Sequence, residues 1–88
     1  MAIVIKADGL TEDVVPKNGV DFSLEELQAI VGGFIEIVPV HGDIFIVVNE
    51  NGRMENLPHN RLASFFVRGQ VNGDIVGDML VCRRDEIK

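Results

Sequence analysis

Residues 34 to 50 are the most apolar stretch of the chain, and its two hydrophobic runs are separated by His41-Gly42-Asp43. β-Branched and aromatic residues fill both runs, and each run has the length of a strand. We therefore predict an antiparallel hairpin of Phe34 to Val40 and Ile44 to Asn49 around a Gly-Asp turn, with His41 as a turn residue. Polar residues do not alternate with apolar ones between Ile44 and Val48, so both faces of this strand are predicted to be shielded from water.

A helix start at Ser23 is the clearest local signal. Ser23 and Glu26 form the sequence pattern of a capping box, in which each side chain binds the backbone N–H of the other residue. An apolar stripe at helical spacing follows, and Gly32-Gly33 is predicted to end the helix because glycine tolerates the left-handed conformation. Glycine at this place also permits close approach of a ligand, which is the alternative role for the pair.

Two further strands and a second helix are predicted outside these elements. The first strand, Ala2 to Lys6, ends at Asp8-Gly9, and the last strand, Ile75 to Cys82, is interrupted by Gly77-Asp78. Asn60 is predicted to cap a short helix over residues 61–67. Weaker extended signals lie at 14–16 and 53–56, and the charged tail 83–88 is predicted to fray.

The predicted order is strand, helix, strand, strand, helix, strand, which defines an α+β domain with a mainly antiparallel sheet of about four strands. Ferredoxin-like folds have this β-α-β-β-α-β order. A small β-roll or partly closed barrel is the alternative, because the 16 residues between the first strand and Ser23 exceed what the ferredoxin-like fold needs. Two short helices are expected to cover one face of the sheet, so the other face is expected to be a ligand floor or the interface of a homo-oligomer.

Composition places the chain among soluble globular proteins. Its 88 residues, 47% hydrophobic and 25% charged, are predicted to form one domain over residues 1–88. No apolar run approaches the roughly 18 residues that span a bilayer, and no signal peptide opens the chain, so a cytoplasmic location and no membrane partner are expected. The single cysteine, Cys82, agrees with a reducing compartment and is predicted to be buried and unreactive.

Charge is distributed unevenly between the two parts of the chain. The formal net charge is −6; residues 1 to 50 carry two lysines against nine acids, whereas residues 51 to 88 carry six basic residues against five acids. This balance disfavours a nucleic acid polymer as a partner and leaves a local arginine site for a small anion in the second part. An acidic DNA mimic is a further interpretation of the charge.

No pattern of catalytic or metal-binding residues is present in the sequence. Two histidines and one cysteine lack metal-ligand spacing, and no phosphate loop or nucleophile motif occurs, so we expect neither an enzyme nor a bound metal or cofactor. Polar residues do gather at predicted element ends, where an arginine and a helix N-terminus could bind a small anion. The candidate ligand-binding residues are Asn49, Glu50, Asn60, Arg61 and Asp78. Caps and turns are the alternative explanation for them.

Four blocks of the chain form a recognisable set: LEELQAIVGGFIEIV at 24–38, VNENG at 48–52, LPHNRLA at 57–63 and IVGDMLV at 75–81. These blocks resemble a small phage- and plasmid-borne family, domain of unknown function 3846. The resemblance covers roughly residues 23 to 82 and implies a mobile-element accessory protein in the bacterial host cytoplasm. It brings no assigned chemistry with it.

Small acidic proteins of mobile elements commonly counter host defence, and this is the function that the resemblance implies. We expect the protein to sequester a small nucleotide-derived signalling molecule without cleaving it, in a pocket shared between subunits of an oligomer. Arg61 is expected to pair with phosphate and Asn60 to supply donors, while Asn49, Glu50 and Asp78 would bind ribose or base. Direct inhibition of a host defence protein and DNA mimicry are the alternatives.

Overall fold

The computed structural model describes residues 2–71 and 73–88. Within these ranges the chain forms five strands and two α-helices, followed by a short 3-10 helix at Arg84–Glu86. The elements are β1 (Ala2–Ile5), β2 (Thr11–Val14), α1 (Leu24–Val31), β3 (Ile35–His41), β4 (Ile44–Asn49), α2 (Arg61–Phe66) and β5 (Met79–Arg83).

The strands form one open sheet in the order β2-β1-β5-β4-β3, and every neighbouring pair is antiparallel. The predicted α+β class and antiparallel sheet are confirmed. The ferredoxin-like arrangement is not adopted, because its βαβ crossovers would place strands parallel, whereas β5 lies between β1 and β4 and opposes both. The sheet ends in two edge strands, β2 and β3, so it is not a closed barrel either.

Three segments differ from what the sequence pattern predicts: strand β2, residues 53–56 and the residues before Met79. Strand β2 folds back on β1 through the Asp8-Gly9 turn, where Gly9 has φ +94 and Lys6 N donates to Leu10 O over 2.8 Å. Its residues include Glu12 and Asp13, polar side chains typical of an exposed edge. The predicted return strand at 53–56 consists of turns, and the segment before Met79 contributes only an isolated bridge between Val76 and His59.

Both faces of the sheet are covered, one by each helix. On the first face, Val47 and Leu80 pack with Leu27 and Val31 of α1. On the second face, Ile46 and Met79 pack with residues of α2 and its C-terminal end, Ala63 and Val67. The prediction that β4 is shielded on both sides is therefore confirmed, whereas the expectation that the two helices share one face is wrong.

Helix α1 begins and ends as its sequence predicts. Ser23 Oγ accepts from Glu26 N over 3.2 Å, and Glu26 Oε1 accepts from Ser23 N over 2.9 Å. The other carboxylate oxygen of Glu26 accepts from Lys17 N, which fastens the preceding loop to the helix. These backbone donors, Ser23 first, lower the pKa of Glu26. At the other end Gly32 takes the left-handed conformation, with φ 80, and stops the helix.

The C-terminal segment is held against the start of α1. Phe22 N donates to Glu86 O over 2.7 Å, Lys88 N donates to Phe22 O over 3.2 Å, and Phe22 is buried. Residue 22 thus forms a parallel bridge with Ile87. The predicted fraying of this tail is wrong, because the apolar side chain of Ile87 packs on the first-face core.

Candidate ligand groove

The five residues predicted as a site lie in two separate places. Asn49 ends β4 and Glu50 follows it, and both line a groove over the second face of the sheet. Asn60, Arg61 and Asp78 do not line this groove. The structure therefore divides the predicted set.

The groove lies between the β3–β4 hairpin and the loops that precede and follow α2, and it has a volume of about 530 Å³. This volume is within the range of small-molecule sites, about 300 to 1,000 Å³. We name it the loop groove. Its lining residues are Glu36, Val38, Ile46, Val48, Asn49, Glu50, Asn51, Gly52, Arg53, Met54, Gln70, Val71, Asp74, Ile75 and Val76.

Aliphatic side chains form the floor of the loop groove. Ile46 and Val48 project there from β4, and Val38 projects from β3 opposite Ile46. Ile75 and Val71 close the floor from the loop after α2. Because these residues belong to the second-face core, the floor is fixed by the packing of the whole sheet. Such a surface suits a flat apolar group such as an aromatic ring.

Asn49 holds the wall of the groove in place. It is buried, its Nδ2 donates to Val31 O over 3.2 Å and to Glu55 Oε1 over 3.3 Å, and its Oδ1 accepts from Asn51 N over 2.7 Å. These bonds join the end of α1, the end of β4 and the loop 50–56. The Asn49 side chain thus has its hydrogen bonds within the protein, and its role in the groove is to position the residues that follow it.

Gly33 fits against the same side chain. A Cβ atom added at Gly33 would lie 2.9 Å from Asn49 Nδ2, closer than such atoms approach in proteins. The two glycines after α1 therefore have different tasks, since Gly32 ends the helix and Gly33 makes room for Asn49. The sequence suggested that the diglycine allows a ligand to approach closely. In the structure, the group that lies close to Gly33 is the buried side-chain amide of Asn49.

Three carboxylates and one guanidinium line the groove. Glu36 lies opposite Val48 and so shares its face, while Glu50 and Asp74 lie on the two loops. Arg53 reaches across the groove, where its Nη2 donates to Asp74 O over 3.0 Å. The charged lining is thus acidic on balance, which opposes ligands with several negative charges.

Arg53, the basic residue of the groove, is not among the residues predicted from the sequence. Arg61 was the predicted arginine because it lies at the start of a helix, but it is exposed outside the groove on the six-residue helix α2. The signal available for Arg53 was its place directly after the Asn51-Gly52 turn, beside Asn49 and Glu50. Asp74 and Gln70 gave no sequence signal, because the tertiary fold alone brings their loop to the hairpin.

Asn60 has a structural task that uses its whole side chain. It is fully buried, its Oδ1 accepts from Ala63 N over 3.0 Å, and its Nδ2 donates to Ile5 O and to Gly77 O, both over 2.8 Å. The predicted N-cap is confirmed. Both amide hydrogens are committed inside the protein, so this side chain has no donor left for a ligand.

Asp78 accepts from Ala7 N over 2.9 Å and secures the end of β1.

A serine, a histidine and an aspartate meet beside the groove without forming a catalytic triad. His59 Nε2 lies 3.3 Å from Asp74 Oδ2 and 3.4 Å from Ser64 Oγ, so both partners contact the same ring nitrogen. A triad uses the two ring nitrogens separately. Ser64 Oγ also donates to Asn60 O and accepts from Ile75 N, both over 2.8 Å. This hydroxyl links α2 to the groove loop and is not poised as a nucleophile.

Cys82 lies in the first-face core, away from the groove. Burial, with a smaller contribution from the negative charge of Glu86, raises the pKa of the Cys82 thiol to about 11. At neutral pH the group is therefore a thiol, which agrees with the predicted packing role.

Across residues 2–71 and 73–88, no group of three or more His, Cys, Asp and Glu side chains is arranged to hold a metal ion. Nor does either described helix have the length and hydropathy to cross a membrane.

The family model for Domain of unknown function (DUF3846) matches residues 2–88 of the chain. The chain belongs to this family. The match extends beyond the blocks at 23–82 and includes the β1–β2 hairpin and the C-terminal segment. No curated protein and no solved structure matches the chain.

Proposed function

We propose that this protein is a non-catalytic binding protein that captures a small organic molecule in the loop groove. The observation that carries the proposal is the groove itself, an aliphatic floor fixed by the sheet and surrounded by polar and charged side chains. Ligand sites in proteins likewise combine an apolar surface, which contributes affinity, with polar groups that fix the orientation of the ligand.

A nucleotide-derived signal is the ligand class that we propose. Its base would lie on the floor over Val48 and Ile75, and its phosphate would pair with Arg53. Glu36 and Glu50 would accept from ribose hydroxyls or from an exocyclic amine of the base. In this proposal Arg53 takes the phosphate-binding role predicted for Arg61 from the sequence.

The acidic lining of the groove favours ligands that carry no more than one phosphate. One guanidinium faces three carboxylates in the groove, and the chain as a whole has a net charge of −6. Each phosphate beyond the first would therefore meet repulsion without a second cation to offset it. We expect tighter binding of nucleosides and cyclic mononucleotides than of cyclic dinucleotides or pyrophosphate-linked ADP-ribose derivatives.

We propose capture without turnover. The described lining contains no Ser, Thr, Cys, Lys or His side chain, and Ser64 beside it has its hydroxyl engaged. A stoichiometric binder of this kind would lower the free concentration of a defence signal. We therefore propose a mobile-element accessory protein that counters host defence in the bacterial cytoplasm, a role that rests on the family resemblance.

Calorimetry against a panel of nucleosides, cyclic mononucleotides, cyclic dinucleotides and ADP-ribose derivatives tests the proposal. We expect one ligand per chain, recovered intact after heat denaturation of the complex. Arg53→Ala should weaken a phosphate-bearing ligand by about tenfold or more, while Arg61→Ala should leave its affinity unchanged. Recovery of a cleaved ligand would show that the protein is an enzyme and would contradict the proposed non-catalytic capture.

The same panel separates the alternatives. Absence of binding to every compound, together with one host protein that co-purifies in stoichiometric amount, would favour the direct inhibitor of a defence protein. Competition with double-stranded DNA for a restriction enzyme would favour the DNA mimic. Loss of binding in Arg61→Ala but not in Arg53→Ala would contradict the loop groove as the site.

A further inference from the structure

An exposed apolar surface lies at the other end of the second face, over β1 and β2. Leu62, Phe65 and Phe66 of α2 expose 43%, 67% and 48% of their surface. With Ile3, Ile5 and Thr11 they line a concavity of about 510 Å³ between α2 and the β1–β2 hairpin. We name Leu62, Phe65 and Phe66 the aromatic patch. Contiguous exposed aromatic residues of this kind mark protein interfaces.

The two sides of this concavity have opposite charges. The α2 side, residues 61–68, contains Arg61 and Arg68 and no acid. The hairpin side, residues 2–14, contains one lysine against the acids Asp8, Glu12 and Asp13. Asp13 lies directly opposite Ile3 in the β1–β2 register, so it shares the face of the concavity. Within the described parts of the chain, neither Arg61 nor Asp13 has a salt-bridge partner.

We infer that the aromatic patch is the interface of a homodimer. A two-fold axis makes every contact occur twice, so the basic α2 side of one chain can oppose the acidic hairpin side of its partner in both halves. The same arrangement buries the exposed rings of both chains against each other and into the two concavities. A second copy of this chain thus matches the patch in charge and in apolar character at once.

The homodimer has a different structural basis from the oligomer predicted from the sequence. That oligomer would cover an exposed face of the sheet, whereas both faces are covered by helices. The uncovered apolar surface is instead a helix surface at the β1–β2 end of the sheet. Because the loop groove lies over β3 and β4, the dimer neither completes nor blocks the groove, and the inference is independent of the proposed function.

Light scattering coupled to size-exclusion chromatography over about 1 to 500 micromolar protein tests the homodimer. We expect a mass that rises toward twice the 9.7 kDa of one chain. Phe65→Ser should raise the dissociation constant by about tenfold or more, because an aromatic anchor is lost. Phe34→Ser is the matched control, since Phe34 is 66% exposed but lies immediately before β3, and it should leave the mass unchanged. Circular dichroism checks that both variants are folded.

A charge exchange tests the orientation of the two copies. Arg61→Glu and Asp13→Lys should each weaken the dimer, and the chain that carries both changes should regain an affinity within about threefold of the parent, because each interface then contains the reversed pair. A monomeric mass at every concentration would overturn the homodimer. The aromatic patch would then be a candidate interface for a different protein. Dissociation by Phe34→Ser and not by Phe65→Ser would overturn the interface.

Discussion

At the scale of single residues, two buried asparagines organise the second half of the chain. Asn49 connects the end of α1 with the loop that forms one wall of the groove, and Asn60 connects α2 with β1 and with Gly77. Each amide hydrogen-bonds backbone groups of segments that are distant or loop-forming, and such pairing is what buried polar groups require. Asn49 and Asn60, which were predicted to bind a ligand, therefore hold together the segments around the groove.

Asn49→Asp tests this assignment with almost no change in shape. The change replaces the donor amide by a carboxylate that faces Val31 O and the Glu55 carboxylate. We expect the free energy of unfolding to fall by about 2 to 4 kcal/mol, because the oxygen that replaces the amide nitrogen faces two acceptors and the buried carboxylate keeps only the donor Asn51 N. Urea denaturation measures the loss. The control is Asn51→Asp, in the same loop, where the expected change is within about 0.5 kcal/mol; equal losses in the two variants would show that Asn49 has no special role.

At the scale of elements, α1 is specified by its own sequence more completely than any other part of the chain. The capping box, the acidic first turn and the left-handed glycine at the end all follow from local chemistry. Strand β2 shows the contrary case, since its polar residues form a strand only because β1 offers them an edge. Helix α2 is intermediate, with a local N-cap whose amide hydrogens are satisfied only by distant backbone groups.

Ser23→Ala removes the side-chain acceptor of the α1 capping box. The free energy of unfolding should fall by about 1 kcal/mol, since the N–H of Glu26 loses its partner. Ligand binding in the loop groove should be unchanged, because Ser23 does not line it. Chemical denaturation and calorimetry measure the two quantities. An unaltered denaturation midpoint would mean that the cap does not stabilise the helix.

The carboxylate of Glu26 makes this cap sensitive to acid. Its pKa is lowered in the folded protein by the backbone donors at Ser23 and Lys17, so its contribution to stability is present above the ordinary value of 4.5 and is lost as the pH falls through the folded pKa. We therefore expect Glu26→Gln to be less stable than the parent at pH 7 and the difference to shrink below about pH 4.5. Thermal unfolding from pH 7 to pH 3 measures it, and a constant difference would contradict the charge as its cause.

At the scale of the whole molecule, the second face of the sheet is shared between two surfaces of different character. Residues of α2 cover its middle, the loop groove lies over β3 and β4, and the aromatic patch lies over β1 and β2. The sequence predicts a ligand pocket shared between subunits, whereas our two proposals place the loop groove and the dimer interface at different ends of this face. Capture and self-association are then separable properties.

Phe65→Ser at a concentration where it is monomeric tests this separation. The variant should bind the same ligand of the calorimetric panel with the parent's affinity, within about threefold, and with one site per chain, since no groove residue is altered. Calorimetry at matched concentrations measures both values. Loss of binding on dissociation would mean that the partner chain completes the site, as the sequence suggested.

The sequence by itself determined the elements whose stability is local, together with the burial of β4. Capping residues, turn glycines and the unbroken apolar run from Ile44 to Val48 act over a few residues, so their consequences can be predicted without the fold. It also located part of the groove, because two of the predicted residues, Asn49 and Glu50, line it.

Tertiary structure alone decided which face each helix covers, where β5 enters the sheet and which arginine faces the groove. Arg53 and Asp74 are 21 residues apart and meet through a side-chain bond to a backbone carbonyl, which no spacing or periodicity encodes. Asn60 was predicted as a cap and as a ligand donor, and only its burial between β1 and Gly77 shows that the amide is fully used. Contacts of this kind depend on the order of strands in the sheet, and that order arises from the packing of the whole chain.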